Sequence, residues 1–373
     1  MGKENITIAI HNETTNQQKP YNVLQSFSNG LLQGFTDIGV KAYTTDYCFE
    51  NNINFNISIG FDTDGIKTWQ KILSNNVTNV MWSTDSVFGK NNEVINQFST
   101  FDKFVLFEST PADAQAIDKY LPNIKHGYIP IATDLNLWKR NNNKKVNDIV
   151  FFSSICDYEE IYNNLKEKMP ELVYNLMMQI RELAIKYPQL TFWQISETIR
   201  QSYELEFDKE QYTMLFKNLV YAIEAEQKVK MIQALSNLNV TVYGNELWKK
   251  YVNGKVEYKG NCSVEESVAI MEQSKISLHN HPIRLGLGIH ERILNASAIE
   301  TFTLSSDTPS LKVEFGDALG YYNNTTFEDI EEKANYYLTN EDERQEIAMK
   351  AHKTTAQNHT WKNRAQSIID TVE

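Results

Sequence analysis

Short apolar runs alternate with amphipathic stretches through the first third of the chain. Runs at 6–10, 55–60, 77–82 and 103–107 have the length and pattern of buried strands. Apolar residues at helical spacing fall between them, near 21–38 and 68–74. This alternation predicts a parallel sheet covered by helices, in which ligands bind at the carboxyl ends of the strands.

A second alternating block begins at 148–154 and is interrupted by a long helical pattern between about 158 and 235. The alternation then resumes. Strands are predicted at 240–243, 275–279, 301–305 and 318–322, and helices at 264–273, 289–299, 326–338 and 342–372. We therefore expect an α/β protein with an N-terminal domain at 1–138, a C-terminal domain at 148–360 and a helical insertion at 158–236.

The stretch 139–147 between the two blocks is polar and begins with a run of Lys, Arg and Asn. Such a run can bind phosphate, but an exposed linker is the interpretation that the pattern favours.

Composition narrows the class of protein. With 373 residues, 41% hydrophobic and 23% charged, the chain is long enough for two to three globular units. Its 36 basic and 48 acidic residues give a net charge of −12, which disfavours nucleic acid and anionic membranes as partners. No apolar stretch reaches the roughly 18 residues of a membrane span, and no signal segment is evident, so we expect a cytoplasmic protein. The three cysteines lack metal-site spacing.

A glycine-rich turn runs from Arg284 to Gly288 and opens a helix that carries Glu291, Arg292 and Asn295. Glycines allow close approach of backbone N–H groups, and a helix N-terminus attracts anions, so this place suits a pyrophosphate flanked by the two arginines. The helical spacing of the last three side chains would let them bind phosphate and ribose. An ordinary turn with a surface ion pair is the alternative.

Several short motifs follow one another in a recognisable order. They are IPIATD at 129–134, FFSS at 151–154, VTVYG at 240–244, YKG at 258–260, SKISLHN at 274–280, HER at 290–292, LSSD at 304–307, YYL at 336–338, ER at 343–344 and HT at 359–360 with Arg364. In this order they resemble the CgeB-type glycosyltransferases over about 200 residues.

The resemblance implies the GT-B architecture, in which two Rossmann-like domains face each other across a cleft. It also implies that the last helix, 361–373, crosses back to the N-terminal domain. Arg292 would meet the donor diphosphate, and Asn295 stands where many relatives have a ribose-binding Glu. Glu300 and Ser153 replace glycines of the family. The predicted donor-binding residues are Ser154, Tyr243, Gly244, Asn280, Arg284, Gly288, His290, Glu291, Arg292 and Asn295.

Loops at 22–30 and 82–85 follow predicted strands of the first block and should face the cleft. Inverting glycosyl transfer needs a general base, and Asp85 is the first candidate, with Arg292 as the second catalytic residue. Alternatively, Asp85 only caps the next turn. A retaining enzyme would need no such base.

Two further patterns could suggest a metal. Asp62 and Asp64 form the Asp-x-Asp pattern of a different glycosyltransferase fold, but a polar turn fits this chain better. His279 and His281 lie on alternate sides of a strand and should point apart, so donor contact or packing is the better interpretation. We predict a transferase that works without a metal.

The sequence thus predicts transfer of a sugar from a nucleotide-diphosphate donor to a glycan, protein or small-molecule acceptor, with no separate cofactor. A GT-B-shaped binding or assembly protein, and a sugar-nucleotide epimerase or hydrolase, remain alternatives. The insertion is expected to bind the acceptor or a partner, or to act as a spacer.

Overall fold

The computed structural model describes residues 7–10, 23–51, 57–60, 77–89 and 103–372. Within these ranges, the first half of the chain forms a parallel sheet with the strand order β2-β1-β3-β4-β5-β6. Its elements are β1 (Thr7–Ile10), α1 (Val23–Asp37), β2 (Lys41–Thr44), α2 (Thr45–Glu50), β3 (Ile57–Gly60), β4 (Thr78–Ser83), β5 (Phe104–Glu108), α3 (Ala114–Tyr120) and β6 (Lys125–Tyr128). The predicted helix at 68–74 lies outside the described residues.

The second half forms another parallel sheet, with the order β12-β11-β10-β7-β8-β9. Its elements are β7 (Asn147–Phe152), α4 (Tyr158–Lys168), α5 (Glu171–Lys186), α6 (Phe192–Ser202), α7 (Lys209–Ala234), β8 (Val240–Tyr243), β9 (Val256–Gly260), α8 (Val264–Glu272), β10 (Ser274–His279), α9 (Glu291–Ala298), β11 (Phe302–Ser306), α10 (Pro309–Phe315), β12 (Gly320–Tyr322), α11 (Ile330–Thr339), α12 (Glu341–Asn358) and α13 (Trp361–Val372). From β7 the chain adds β8 and β9 on one side of the sheet, and it then crosses back and adds β10, β11 and β12 on the other side. This is the strand order of a Rossmann sheet.

Three strands were missing from the prediction: β2, β6 and β9. All three lie at a sheet edge. β9 has only Val256 buried, and β2 and β6 have no buried residue. An edge strand buries too few side chains to leave a clear period of two in the sequence.

The prediction of one continuous helix over 342–372 is wrong, because the chain turns at His359 and Thr360 between α12 and α13. The carbonyl of His359 accepts a hydrogen bond from the N–H of Thr133 (2.9 Å), and Asn363 accepts one from the N–H of Thr360 (2.9 Å). The break therefore lies where the chain meets the segment that connects the two sheets. Beyond it, Trp361 packs on α1, where Gly34 leaves room for its backbone.

The inserted helices do not belong to one half alone. Phe192, Tyr212 and Phe216 share a buried cluster with Phe88 and Ile117 of the first half. The far end of α7 instead joins the core of the second sheet, through buried side chains that include Val229 and Ile232. With 26 residues, α7 spans about 39 Å. One helix is thus shared by both hydrophobic cores.

Candidate functional site

The strand order of the second sheet reverses beside β7, which pairs with β10 on one side and β8 on the other. Ligands of such sheets bind in the crevice outside the carboxyl ends of the strands at this point. A cavity of about 100 Å³ lies there. It is lined by Phe152, Ser153, Ser154, Tyr243, Gly244, Asn261, Cys262 and Arg292.

The walls of the cavity follow from local packing at the strand ends. Tyr243 stacks on Phe152, with ring centroids 5.3 Å apart. Gly244 approaches the carbonyl oxygen of Ser153 so closely that a Cβ at this position would collide with it. That same oxygen accepts a hydrogen bond from Nε1 of Trp248 (2.6 Å). The ends of β7 and β8 are therefore held together, and Ser154 remains exposed at the rim.

His290, Glu291 and Arg292 begin helix α9 beside this cavity. His290 is the N-cap residue, and its Nδ1 lies 2.6 Å from Oε2 of Glu291, while its Nε2 lies 3.4 Å from Nη1 of Arg292. Nδ1 also lies 3.3 Å from the backbone nitrogen of Arg292, but the contact with the carboxylate is much shorter. The shorter contact favours a proton on Nδ1, so Nε2 faces the guanidinium as an acceptor. The arrangement holds Arg292 at the positive end of the helix, against the cavity.

Burial and neighbouring charges together determine the protonation states of His290 and Glu291. Burial lowers the pKa of His290 to about 4, and Glu291 only partly opposes that effect. For Glu291, burial favours the neutral acid, but His290 and Arg292 outweigh it and hold the pKa at about 2. At neutral pH the histidine is neutral and the glutamate ionised, so Glu291 offsets part of the positive charge of Arg292.

The glycine-rich turn faces the first half of the chain and not the cavity. Arg284 does not line the cavity; its Nε donates to Oδ1 of Asp85 (2.9 Å) and its Nη1 to Glu224. Gly288 packs against the first half, because a Cβ there would lie 2.9 Å from that of Thr110. The close approach that the glycine permits is thus to the opposite domain.

Asn295 and Asn280 also lie away from the cavity. Oδ1 of Asn295 accepts a hydrogen bond from Oγ1 of Thr133 (2.8 Å), in the segment that joins the two sheets. Nδ2 of Asn280 donates weakly to the hydroxyl of Tyr322 (3.4 Å). Both asparagines are buried. Their predicted donor contacts remain predictions, and in this arrangement their side chains bind protein groups.

The expectation that His279 and His281 point apart is wrong. Their ring centroids lie 6.0 Å apart, and that of His290 lies 5.1 Å from His279. The backbone turns after β10 ends at His279, so the alternation of a strand no longer applies. Among the described residues, no group of three or more His, Cys, Asp or Glu side chains is placed to hold a metal ion. Asp62 and Asp64 lie outside these residues.

At the departures from the family pattern, Glu300 adopts a φ of 54°, in the left-handed region that favours glycine. Its carboxylate pairs with Arg140 of the segment between the sheets. Asp85, in the first half of the chain, is one third exposed and forms an ion pair with Arg284 of the second half.

One buried cation near the site was not predicted. Lys228 of α7 is 9% exposed, and within the described part of the chain its Nζ makes no hydrogen bond or ion pair. Its neighbours Val229 and Met231 are apolar and buried, so nothing in the local sequence distinguishes this lysine from one that faces solvent.

Comparison with known proteins agrees with this geometry. Residues 226–370 match a family described as "Glycosyl transferase-like". No curated protein matches the chain significantly in sequence.

Solved structures resemble the whole chain. Sucrose-phosphate synthase from Thermosynechococcus elongatus superposes with a TM-score of 0.57 at 9% identity, over 98% of each chain. The β-glucosyltransferase of T4 phage gives 0.56 at 12% identity, over 98% of this chain and 99% of that one. The chain has a GT-B fold. Anabaena HepE, solved with UDP and glucose, has a similar GT-B structure, with a TM-score of 0.53, 10% identity, and coverage of 98% of this chain and 99% of that one.

The predicted GT-B fold is therefore confirmed, and the family match supports the predicted class of enzyme, a glycosyltransferase. No described helix combines the length and apolar character that crossing a membrane requires.

Proposed function

We propose that this GT-B protein transfers a sugar from a nucleoside diphosphate sugar to an acceptor nucleophile. The observation that carries the proposal is the cavity at the reversal point of the second sheet, which Arg292 lines from the first turn of helix α9. The family match over 226–370 covers most of the cavity's lining residues. A nucleoside diphosphate is the ligand class that such a crevice and such a helix end recognise.

The ordered motifs support the finer proposal that the chain is a CgeB-type glycosyltransferase. In that assignment the donor lies against Ser154, Tyr243 and Gly244, with its diphosphate at Arg292. We propose UDP sugars as the first donors to test, because the similar structure of HepE holds UDP and glucose.

The transfer breaks the bond between the anomeric carbon and the diphosphate oxygen and forms a bond between that carbon and the acceptor atom. The acceptor loses a proton, and the nucleoside diphosphate leaves with additional negative charge. Arg292 and the N-terminus of α9 stabilise that charge. In an inverting reaction Asp85 would take the proton.

We propose a glycan, a protein or a small molecule as acceptor, bound on the side of the first sheet. The net charge of −12 argues against nucleic acid. No specific observation favours an epimerase or hydrolase over the transferase.

Incubation of the protein with UDP, GDP and dTDP sugars tests the proposal. A transferase should release nucleoside diphosphate slowly and faster once an acceptor is added, whereas a binding protein should gain thermal stability without releasing nucleotide. Failure of every sugar nucleotide either to bind or to react would exclude the proposed function.

Asp85→Asn separates two roles of this carboxylate. Loss of the general base lowers kcat and leaves the affinity for donor unchanged. If Asp85 only holds Arg284 across the interface, donor affinity and thermal stability change instead, and kcat does not.

A further inference from the structure

Helix α7 carries three side chains along one ridge that contacts the loop after β10. Oε1 of Glu224 accepts a hydrogen bond from the N–H of Arg284 (3.0 Å). Two turns further along, Sδ of Met231 accepts one from the hydroxyl of Tyr322 (3.0 Å). Lys228 lies between these two contacts, four residues from the first and three from the second.

The contact at Met231 fixes where this ridge lies relative to β10. The single hydroxyl proton of Tyr322 is shared between this sulfur and the carbonyl oxygen of His279, the last residue of that strand, which lies 2.9 Å from the hydroxyl oxygen. On the other flank, Sγ of Cys156, just beyond β7, donates to the carbonyl oxygen of Tyr221 in α7 (3.3 Å). The ridge therefore lies along the carboxyl ends of β7 and β10, where the strand order reverses.

Lys228 is charged, buried and without an ion-pair partner among the described residues. Glu224, the acid four residues before it, is bound by the backbone and guanidinium of Arg284. The charges of Arg284 and Arg292 both act on the ammonium group, and that group in turn acts on His279. A largely buried ammonium on which two guanidinium charges act is costly unless an anion joins them.

We propose that Lys228 binds the diphosphate of the donor together with Arg292, so that the inserted helix α7 forms part of the donor site. This inference rests on the proposed function. Glu291 offsets part of the charge of Arg292, so a second cation helps to balance the two to three negative charges of a nucleoside diphosphate. The last turns of the insertion thus bind the donor, in contrast to the expectation that the insertion only serves the acceptor, a partner or spacing.

Calorimetric titration of the full chain with UDP, GDP, dTDP, inorganic pyrophosphate and uridine tests the inference. Lys228→Met should weaken the binding of the diphosphates and of pyrophosphate at least tenfold and leave any binding of uridine unchanged. Lys228→Arg should retain most of the affinity, because it keeps the charge. Lys217→Met, at an exposed position of the same helix, is the matched control and should bind like the wild type.

The pH dependence gives a second readout, since burial lowers the pKa of Lys228 to about 8, with Glu224 opposing and Arg284 and Arg292 adding to the effect. Wild-type affinity for pyrophosphate should fall between pH 7 and 9.5, and that of Lys228→Arg should fall much less. The remaining groups that face the ammonium are His279, neutral at these pH values, and Cys156, whose pKa burial raises.

The outcomes separate the two proposals. If the wild type binds none of the diphosphates, the proposed function fails and this inference fails with it. If the wild type binds and Lys228→Met binds equally well, this inference is overturned while the proposed function stands. Should Lys228→Met not fold, an equal fall with pH in the wild type and in Lys228→Arg would overturn the inference.

Discussion

Replacing Lys228 with methionine should make the protein more stable while it loses affinity for a diphosphate. Methionine has nearly the same length and flexibility as the lysine side chain and carries no charge. The substitution therefore removes the buried ammonium without opening a cavity. A residue retained at the expense of stability is typical of a binding site.

The expected gain follows from the pKa of Lys228, which burial holds at about 8 against 10.5 for an ordinary lysine. One pKa unit corresponds to about 1.4 kcal/mol, so keeping this lysine charged at pH 7 costs the folded protein roughly 3 kcal/mol. This figure already includes the attraction between Lys228 and Glu224, and Glu224 keeps Arg284 as its partner in the variant. We expect a net gain of about 1 to 3 kcal/mol in the free energy of unfolding.

The gain should depend on pH with a definite sign. The pKa of Lys228 is lower in the folded than in the unfolded protein, so unfolding takes up a proton between pH 8 and 10.5. The cost of the buried charge is complete below pH 8 and disappears above pH 10.5. The difference in stability between Lys228→Met and the wild type should therefore shrink as pH rises through this window.

Urea denaturation followed by tryptophan fluorescence, at pH 7, 9 and 10.5 without ligand, measures this difference. Lys217→Met again serves as the control and should change stability by less than about 0.5 kcal/mol at every pH. A variant less stable than the wild type at pH 7, or a difference that does not vary with pH, would refute the reasoning. Such a result would mean that groups within the protein already balance the charge of Lys228.

Three further predictions concern other parts of the chain. Arg292→Ala should reduce the affinity for inorganic pyrophosphate tenfold or more in calorimetry, since a hydrogen bond to a charged group contributes about 1.5 to 3 kcal/mol; unchanged affinity would remove it from the donor site. Gly34→Ala should destabilise the protein by about 1 to 3 kcal/mol in urea, because its Cβ would collide with the backbone of Trp361; an unaltered midpoint would contradict this packing. Hydrogen bonding to Glu108 raises the pKa of His126 to about 9. The protonated histidine therefore stabilises the folded protein fully below pH 6.5, and this contribution is lost as pH rises through 9. His126→Asn should remove this part of the pH dependence of the free energy of unfolding.

The sequence predicts strands with several buried side chains better than strands at the edge of a sheet. β8 was predicted to the residue, because its side chains at 240–243 alternate between buried and half-buried. The edge strand β9 was not predicted, because its exposed Glu257 and Lys259 interrupt the apolar pattern. The hydrophobic pattern of a segment reflects the side chains that it buries against its own sheet, and an edge strand buries few of them.

Of the predicted site residues, Ser154, Tyr243 and Gly244 lie at strand ends and line one cavity with Arg292. Arg284 and Asn295 did not join them, because their partners Asp85 and Thr133 come from distant parts of the chain. A local motif cannot reveal a competing partner about 160 to 200 residues away. The same limit hid Lys228, whose environment is created by tertiary packing.

Helix α7 also determines how the molecule can be divided. Cutting between the two sheets would remove Phe88 and Tyr120 from the ring of Tyr212 and expose the part of this apolar cluster that faces the first half of the chain. An isolated C-terminal half, however its boundary is chosen near 148, would present that surface to water and aggregate. The C-terminal half therefore cannot be prepared by simple truncation, and an enzyme engineer who wishes to exchange the N-terminal half must transfer the inserted helices together with the first sheet.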